Sequence, residues 1–339
     1  MSAGDSPGCR LWGMLRIPST PMLPGYNVSK YPLPKPATRS GPKPLLVLCG
    51  VAALLPSLPA AGDTFADLQL GLHRDDNATR AFLDSDTYED TSAELMLSGG
   101  NFFQLAPSRT GTVFGSISST RFSDLSGLHS NALTLGGSLE QKFGLGAYAP
   151  ALSSSLSWTH FDSHSQTRDR ELLAWEVSYS KRLTPEWAIS AGGTLEGSKG
   201  LHDAVRHASI YSPRNDIYDF NQAGLFASAD YTFANYALLS ASYTWVDGYT
   251  ISSALAPNPG LGALARALTL DHAVEPPPGR KQVAYALPTR AHLLAVEYSL
   301  PIGRDSAVSV GVSRQLIKAN GGVDYTNNRL SLSVMHILH

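Results

Sequence analysis

The chain has 339 residues, 43% hydrophobic and only 16% charged, with 26 basic against 28 acidic residues and a formal net charge of −2. Soluble domains carry about 25% Asp, Glu, Lys and Arg, so this one is poor in charge. Past residue 62 there is no run of eighteen apolar residues, which excludes a polytopic helical bundle, and two cysteines exclude a disulfide-stapled scaffold.

Residues 1–62 differ from the rest. Six basic residues (Arg10, Arg16, Lys30, Lys35, Arg39, Lys43) stand against one acid, Asp5, and are followed by an apolar run from Leu45 to Leu55, a break at Pro56 and the small residues Ala60-Ala61-Gly62. A basic flank, a short apolar core and a small-residue ending predict a secretory signal peptide cut near Gly62. The basic part is longer than export needs, which points to a true start downstream of Met1, with residues 1–40 mis-assigned. Both Cys9 and Cys49 fall in the leader. The expected mature domain, 63–339, is then free of cysteine, consistent with an oxidising compartment and no disulfide staples. Loss of the basic leader leaves acids in excess, which argues against a nucleic-acid partner.

From residue 63 the apolar period is two. In 132–143, Leu133, Leu135, Gly137, Leu139 and Phe143 share one face, and Thr134, Gly136, Ser138, Glu140 and Lys142 the other. Such alternation predicts a strand with one apolar face. Comparable segments occur at 64–74, 89–100, 110–122, 150–162, 171–182, 186–198, 220–233, 236–248, 291–301, 305–316 and 327–339. Together they make twelve strands, each about long enough to cross a bilayer at a tilt. The links after even-numbered strands are mostly short, as at 183–186, 234–235 and 302–304. Those after odd-numbered strands are longer and polar, above all 199–219 and 249–290. Aromatics on the apolar face fall into two groups: Phe143, Tyr179, Trp187, Phe233 and Tyr298 toward the short turns, and Trp158, Trp175, Tyr243 and Trp245 toward the long loops. Two aromatic levels around an aliphatic band fit two water–lipid boundaries.

On these features residues 63–339 resemble bacterial outer-membrane β-barrel proteins as a class. The resemblance implies an all-β fold, a transmembrane antiparallel barrel of about twelve strands with short periplasmic turns and long extracellular loops. It places the chain in the outer membrane, in contact with outer-membrane lipid and lipopolysaccharide. It also implies recognition of the last strand by the barrel-assembly machinery. In that strand Leu330, Leu332, Val334 and Leu338 alternate, while His336 interrupts the apolar face and His339 stands where the class has an aromatic. A secreted β-sandwich with one wet face is the competing architecture, but twelve matched strands with uncovered aliphatics disfavour it.

With the apolar face toward lipid, the other face lines the interior, and it is rich in Ser, Thr, Gly and Ala. Small side chains cannot fill a cylinder wider than an eight-stranded barrel, so water is expected inside. The charged positions on this face are Glu94, Glu140, Glu176, Glu196, Asp230 and Glu297, against Lys142 alone, which predicts a mildly acidic lumen favouring cations. The alternative is that these acids only keep the interior wet. Loop 249–290 contains 261–270 with helical spacing, expected to lie over the rim or to constrict the mouth.

Other chemistry is thinner. Trp158-Thr-His-Phe-Asp-Ser-His164 superficially resembles the motif of an outer-membrane phospholipase, but Asp162 stands two residues after His160, and Ser163 falls on the opposite face. His202, Asp203 and His207, and His160 with His164, have chelating spacing only if their loops turn suitably. Asp84, Asp86, Glu89 and Asp90 form an acidic run suited to a divalent ion bridging lipopolysaccharide, and Arg121 and Arg314 suit lipid phosphates. No cofactor motif is present. The reading is a monomeric porin-like channel, not an enzyme, for passive diffusion of small solutes. The alternative is a non-conducting barrel acting in structure, adhesion or envelope assembly through its loops.

Overall fold

A computed structural model describes residues 63–164, 168–201, 217–256, 265, 267–271, 281–319 and 322–338. The expected signal peptide, the His202/Asp203/His207 group and most of 257–280 lie outside the described residues.

The strands are β1 (Asp63–Asp75), β2 (Asp90–Ala106), β3 (Arg109–Phe122), β4 (Ser130–Lys142), β5 (Ala151–Ser163), β6 (Arg170–Arg182), β7 (Trp187–Gly200), β8 (Phe220–Thr232), β9 (Leu238–Ala256), β10 (Ala267–Asp271), β11 (Lys281–Ile302), β12 (Ser306–Ala319) and β13 (Val323–Leu338). All pairings are antiparallel, and neighbours in sequence pair in space. β1 pairs with β13, and β9 with β11, so the sheet closes into a barrel of twelve wall strands. β10 is a short extra strand on the end of β11. Closure leaves no wall edge with unpaired amides, which is the condition for crossing a bilayer with strands.

Alternation sets which face is oily. Along β1, Leu68, Leu70 and Leu72 are exposed, while Asp67, Gly71 and Asp75, of opposite parity, are buried. The same pattern puts Leu135, Leu139, Leu156, Leu195, Leu225, Val310 and Leu332 on the outside. A belt of bare aliphatics around a closed cylinder is stable only in an apolar solvent: each such side chain gains roughly 1.5–3 kcal/mol on leaving water. At the short-turn end the outer surface carries packed rings, Trp187 on Tyr231 at 5.0 Å, Tyr231 on Phe233 at 4.8 Å and Phe233 on Tyr298 at 6.0 Å. Trp175 departs from the expected upper level. It sits near mid-strand, its indole Nε1 donating to Ser154 Oγ at 3.0 Å.

Three segments differ from the sequence reading. β2 continues to Ala106, so 101–106 belongs to the wall rather than to a turn, and the link shrinks to 107–108. The link between β12 and β13 is likewise short, at 320–322. β9 and β11 run on into the supposed loop, to Ala256 and back from Lys281, and within 261–270 the stretch Ala267–Leu270 is strand β10, not helix. Residues 261–264 and 266 of the expected helix lie outside the described residues.

Candidate functional site

The interior wall is built from side chains that the pleat turns away from lipid. Many are hydroxyls that bond sideways across strands: Thr134 with Thr159 at 3.0 Å, Ser190 with Ser228 at 2.8 Å, and Ser309 donating to Ser299 at 2.9 Å. Bonded to each other, these groups stay flat against the wall.

Larger interior groups also lie against the wall. Phe65 stacks on Phe102 at 4.8 Å. Gly100 pairs with Phe114, and Phe114 with Gly136; a Cβ on Gly136 would stand 2.5 Å from Phe114 Cζ. Gly192 faces Phe226 in the same way. Each ring occupies the space that a glycine on the next strand leaves open.

Alternation places all six sequence-selected acids on the interior face, but it does not gather them. Glu94 lies 3.5 Å from His73 Nε2, Glu196 accepts from Gln222 Nε2 at 2.6 Å, and Asp230 accepts from Ser240 Oγ at 2.9 Å. Glu297 stands opposite Ser240 and Gly311, so Asp230 and Glu297 share one row. Glu140 stands between Thr110 and Ser153, and Glu176 between Ser155 and Thr194. Asp67, buried and accepting from Ser98 Oγ at 2.7 Å, is a further interior acid that the sequence reading missed. Lys142 is not the lone interior cation. By alternation Arg170, Arg182 and Arg329 also face inward, and Arg329 follows directly from the parity of Ser331 and Ser333.

Among the described residues, 76–89 lies across the mouth at the long-loop end. This segment leaves β1, and the carbonyl of Thr79 accepts from the Ser253 amide on β9 at 3.1 Å. β13, β12 and β11 separate β1 from β9 in the sheet, so the segment crosses the opening as a chord. It is internally braced: Arg80 Nη2 donates to Asp75 Oδ2 at 3.0 Å, Asn77 Nδ2 to the Ala81 carbonyl at 2.8 Å, and Asn327 Nδ2 reaches Asp75 Oδ1 and the Asn77 carbonyl. Phe82 packs against the cluster of Tyr285 and Leu287 and against that of Ile317 and Tyr325. Behind them Ile217, Tyr218 and Phe220 cover Ile251, Ala284 and Ala286 of the β9–β11 extension. Nearby Arg168 Nη1 donates to Tyr218 Oη at 2.8 Å, and the Arg170 guanidinium lies over the Phe161 and Tyr218 rings. Among the described residues, 76–89 and the β9–β11 extension, which belongs to the expected loop 249–290, pack together at the mouth.

The acidic run does not form an ion site. Asp86 is buried, Glu89 pairs with Arg74 at 2.9 Å, and Asp90 accepts from the amides of Asp124 and Leu125 at 3.2 and 2.8 Å. Among the described residues no group of three metal-type ligands converges. His160 lies on the outer face beside Trp158, whereas Ser163 is buried and directed inward toward the Arg168 carbonyl, so the wall separates them. His164 meets His129 edge-on at 6.4 Å. Arg121 is engaged with the wall, donating to the Ser130 carbonyl and to Asn131 Oδ1.

No family model and no curated protein matches the sequence. Among solved structures, an outer-membrane channel from Pseudomonas putida F1 aligns with a TM-score of 0.53 at 14% identity, covering 83% of this chain and 97% of that one. The outer-membrane channel DcaP of Acinetobacter baumannii aligns at 0.41, with 8% identity, over 82% and 97%. The Salmonella typhi outer-membrane phospholipase aligns at 0.35, with 12% identity, over 81% and 90%. The fold is that of an outer-membrane β-barrel, and the first of these likenesses is one of fold.

Proposed function

We propose that the protein is a porin-like outer-membrane channel through which small solutes diffuse passively, with the in-folded segment 76–89 narrowing its outer mouth. The observation that carries this reading is the interior wall. Among the described residues its hydroxyls bond laterally and its phenylalanines lie against glycines, which supports an axis left to water in a twelve-stranded cylinder. Glu94, Glu140, Glu176, Glu196, Asp230 and Glu297 give that wall a modest preference for cations, tempered by Arg170, Arg182 and Arg329 and screened over about 8 Å at physiological salt. β13 presents its alternating outer face to the assembly machinery, with His336 Nδ1 sharing a hydrogen bond with Ser306 Oγ at 2.8 Å.

The packing of half-buried Phe82 on buried Tyr285 and Leu287 at the mouth favours a second reading, a barrel that does not conduct and works through its loops. Reconstitution into planar bilayers separates the two. Discrete current steps support the channel, and a folded but silent protein supports the alternative.

A further inference from the structure

On the outer wall, β11, β12, β13 and β1 enclose a groove of about 490 Å³ lined by Arg74, Asp76, Leu294, Val296, Val312, Arg314 and Leu330. A barrel wall is convex, so a trough in it needs a cause. Here β13 presents Asn328 between the two arginines, and Asp76 holds it: the Asn328 amide donates to Asp76 Oδ1 at 2.7 Å, and Asn328 Nδ2 to Oδ2 at 2.5 Å. Arg314 stands opposite Asn328, and Arg74 opposite Leu330, so the arginines flank β13 at two strand spacings, about 10 Å. The register sets Leu294 level with Arg314, and Val296, Val312 and Leu330 level with Arg74 one pleat nearer the short-turn end, so bare aliphatics lie beside and just below the arginines.

Charge is uneven along the groove. Its carboxylates are engaged, Glu89 by Arg74 and Asp76 by Asn328. Among the described residues Arg314 has no hydrogen-bond or ion-pair partner. A guanidinium set among bare aliphatics on the outer wall is satisfied by an anion. Its planar fork matches two oxygens of a phosphate.

The geometry points to a binding site for lipid A, the phosphorylated glycolipid of the outer leaflet. A phosphate is held by Arg314, with Arg74, which also pairs with Glu89, adding positive charge from the other side of β13, and an acyl chain lies across Leu330, Val312 and Val296. The groove opens at the end that bears 76–89, 201–219 and 257–280, the outer end in barrels of this class, and there the leaflet phosphates belong to a glycolipid rather than to phospholipid. The site depends on the membrane orientation and not on conduction, so a silent barrel would leave it intact.

Native mass spectrometry of the full-length barrel in detergent, with bisphosphorylated lipid A added, tests it. Wild type is expected to retain one lipid A, R74Q/R314Q to bind at least ten-fold more weakly, and R121Q, altered at an arginine already engaged with the wall, to bind as wild type does. Dephosphorylated lipid A is expected not to bind. Heat-modifiable gel mobility checks folding. Should the double variant misfold, R314Q alone, which breaks no side-chain hydrogen bond or ion pair among the described residues, carries the test. Undiminished binding by the arginine variants, equal loss in R121Q, or equal retention of phosphatidylglycerol would overturn the assignment.

Discussion

The amide of Ser253 on β9 donates to the carbonyl of Thr79 at 3.1 Å, although three strands of the wall separate the elements that carry them. One backbone bond therefore records that 76–89 spans the mouth instead of standing away from it. Residues joined this closely are within reach of a disulfide after small adjustment. Because 63–339 contains no cysteine, T79C/S253C introduces one pair, and mild oxidation of the folded barrel should yield an intramolecular disulfide visible as a mobility shift. Free thiols after oxidation of folded protein would show that the segment does not cross.

Asp75 and Arg80 form an ion pair whose side chains are 9% and 5% exposed. Removing one partner of such a pair leaves a buried charge, at a typical cost of about 3–5 kcal/mol. Asp75 also accepts from the Asn77 amide and from Asn327, so D75A should loosen the whole segment. Urea unfolding in detergent, followed by tryptophan fluorescence, should show D75A less stable than D75N. Equal midpoints for the two would assign the whole effect to the charge, and D75N as stable as wild type would contradict a role for it.

Gly136 tests how the interior stays open. A side chain there would meet Phe114 Cζ at 2.5 Å and the Leu156 carbonyl at 2.9 Å. G136V should displace the ring toward the axis and cost about 1–3 kcal/mol, the usual range for overpacking. The double variant F114A/G136V should recover part of that loss in the same unfolding assay. No recovery would mean that the ring is not what the glycine accommodates.

His129, in the connection between β3 and β4, sits below its ordinary pKa of 6.5, first through burial and then through repulsion from Arg121 and His164, with Asp90 acting in the opposite sense. Its neutral Nδ1 accepts from the Phe122 amide at 3.2 Å. The folded state therefore prefers neutral imidazole. Its stabilising contribution is complete above pH 6.5 and fades as pH falls through the lowered value. Hydrogen exchange of the Phe122 amide should accelerate, relative to intrinsic rates, between pH 7.5 and pH 5 in wild type but not in H129Q. The same pH response in both would place its origin elsewhere.

The wall was legible because one face meets lipid. Leu133, Leu135 and Leu139, or Leu330, Leu332 and Val334, alternate with small polar residues, and a period of two has one structural meaning here. Legibility stops where both faces are covered. Val283 to Leu287 and Ile251 to Ala254 are buried without alternation, because 76–89 packs on one side of the extension and 217–220 on the other, so these strand ends read as loop. The chord itself carried no local signal. Asp75, Asn77, Thr79 and Arg80 look like solvated loop residues, and their partners Asn327 and Ser253 are remote in sequence. The six acids were assigned to a face by parity, whereas their separation around the barrel depends on cross-strand register.

Single-channel conductance tests the central claim, that the barrel is a water-filled pathway narrowed by 76–89. Purified wild type and a variant with 78–87 replaced by a short Gly-Ser link should be compared in planar bilayers in symmetrical KCl. Small, discrete steps in the wild type and markedly larger ones in the variant are expected. Silence from both folded proteins, or identical step sizes, would contradict the account.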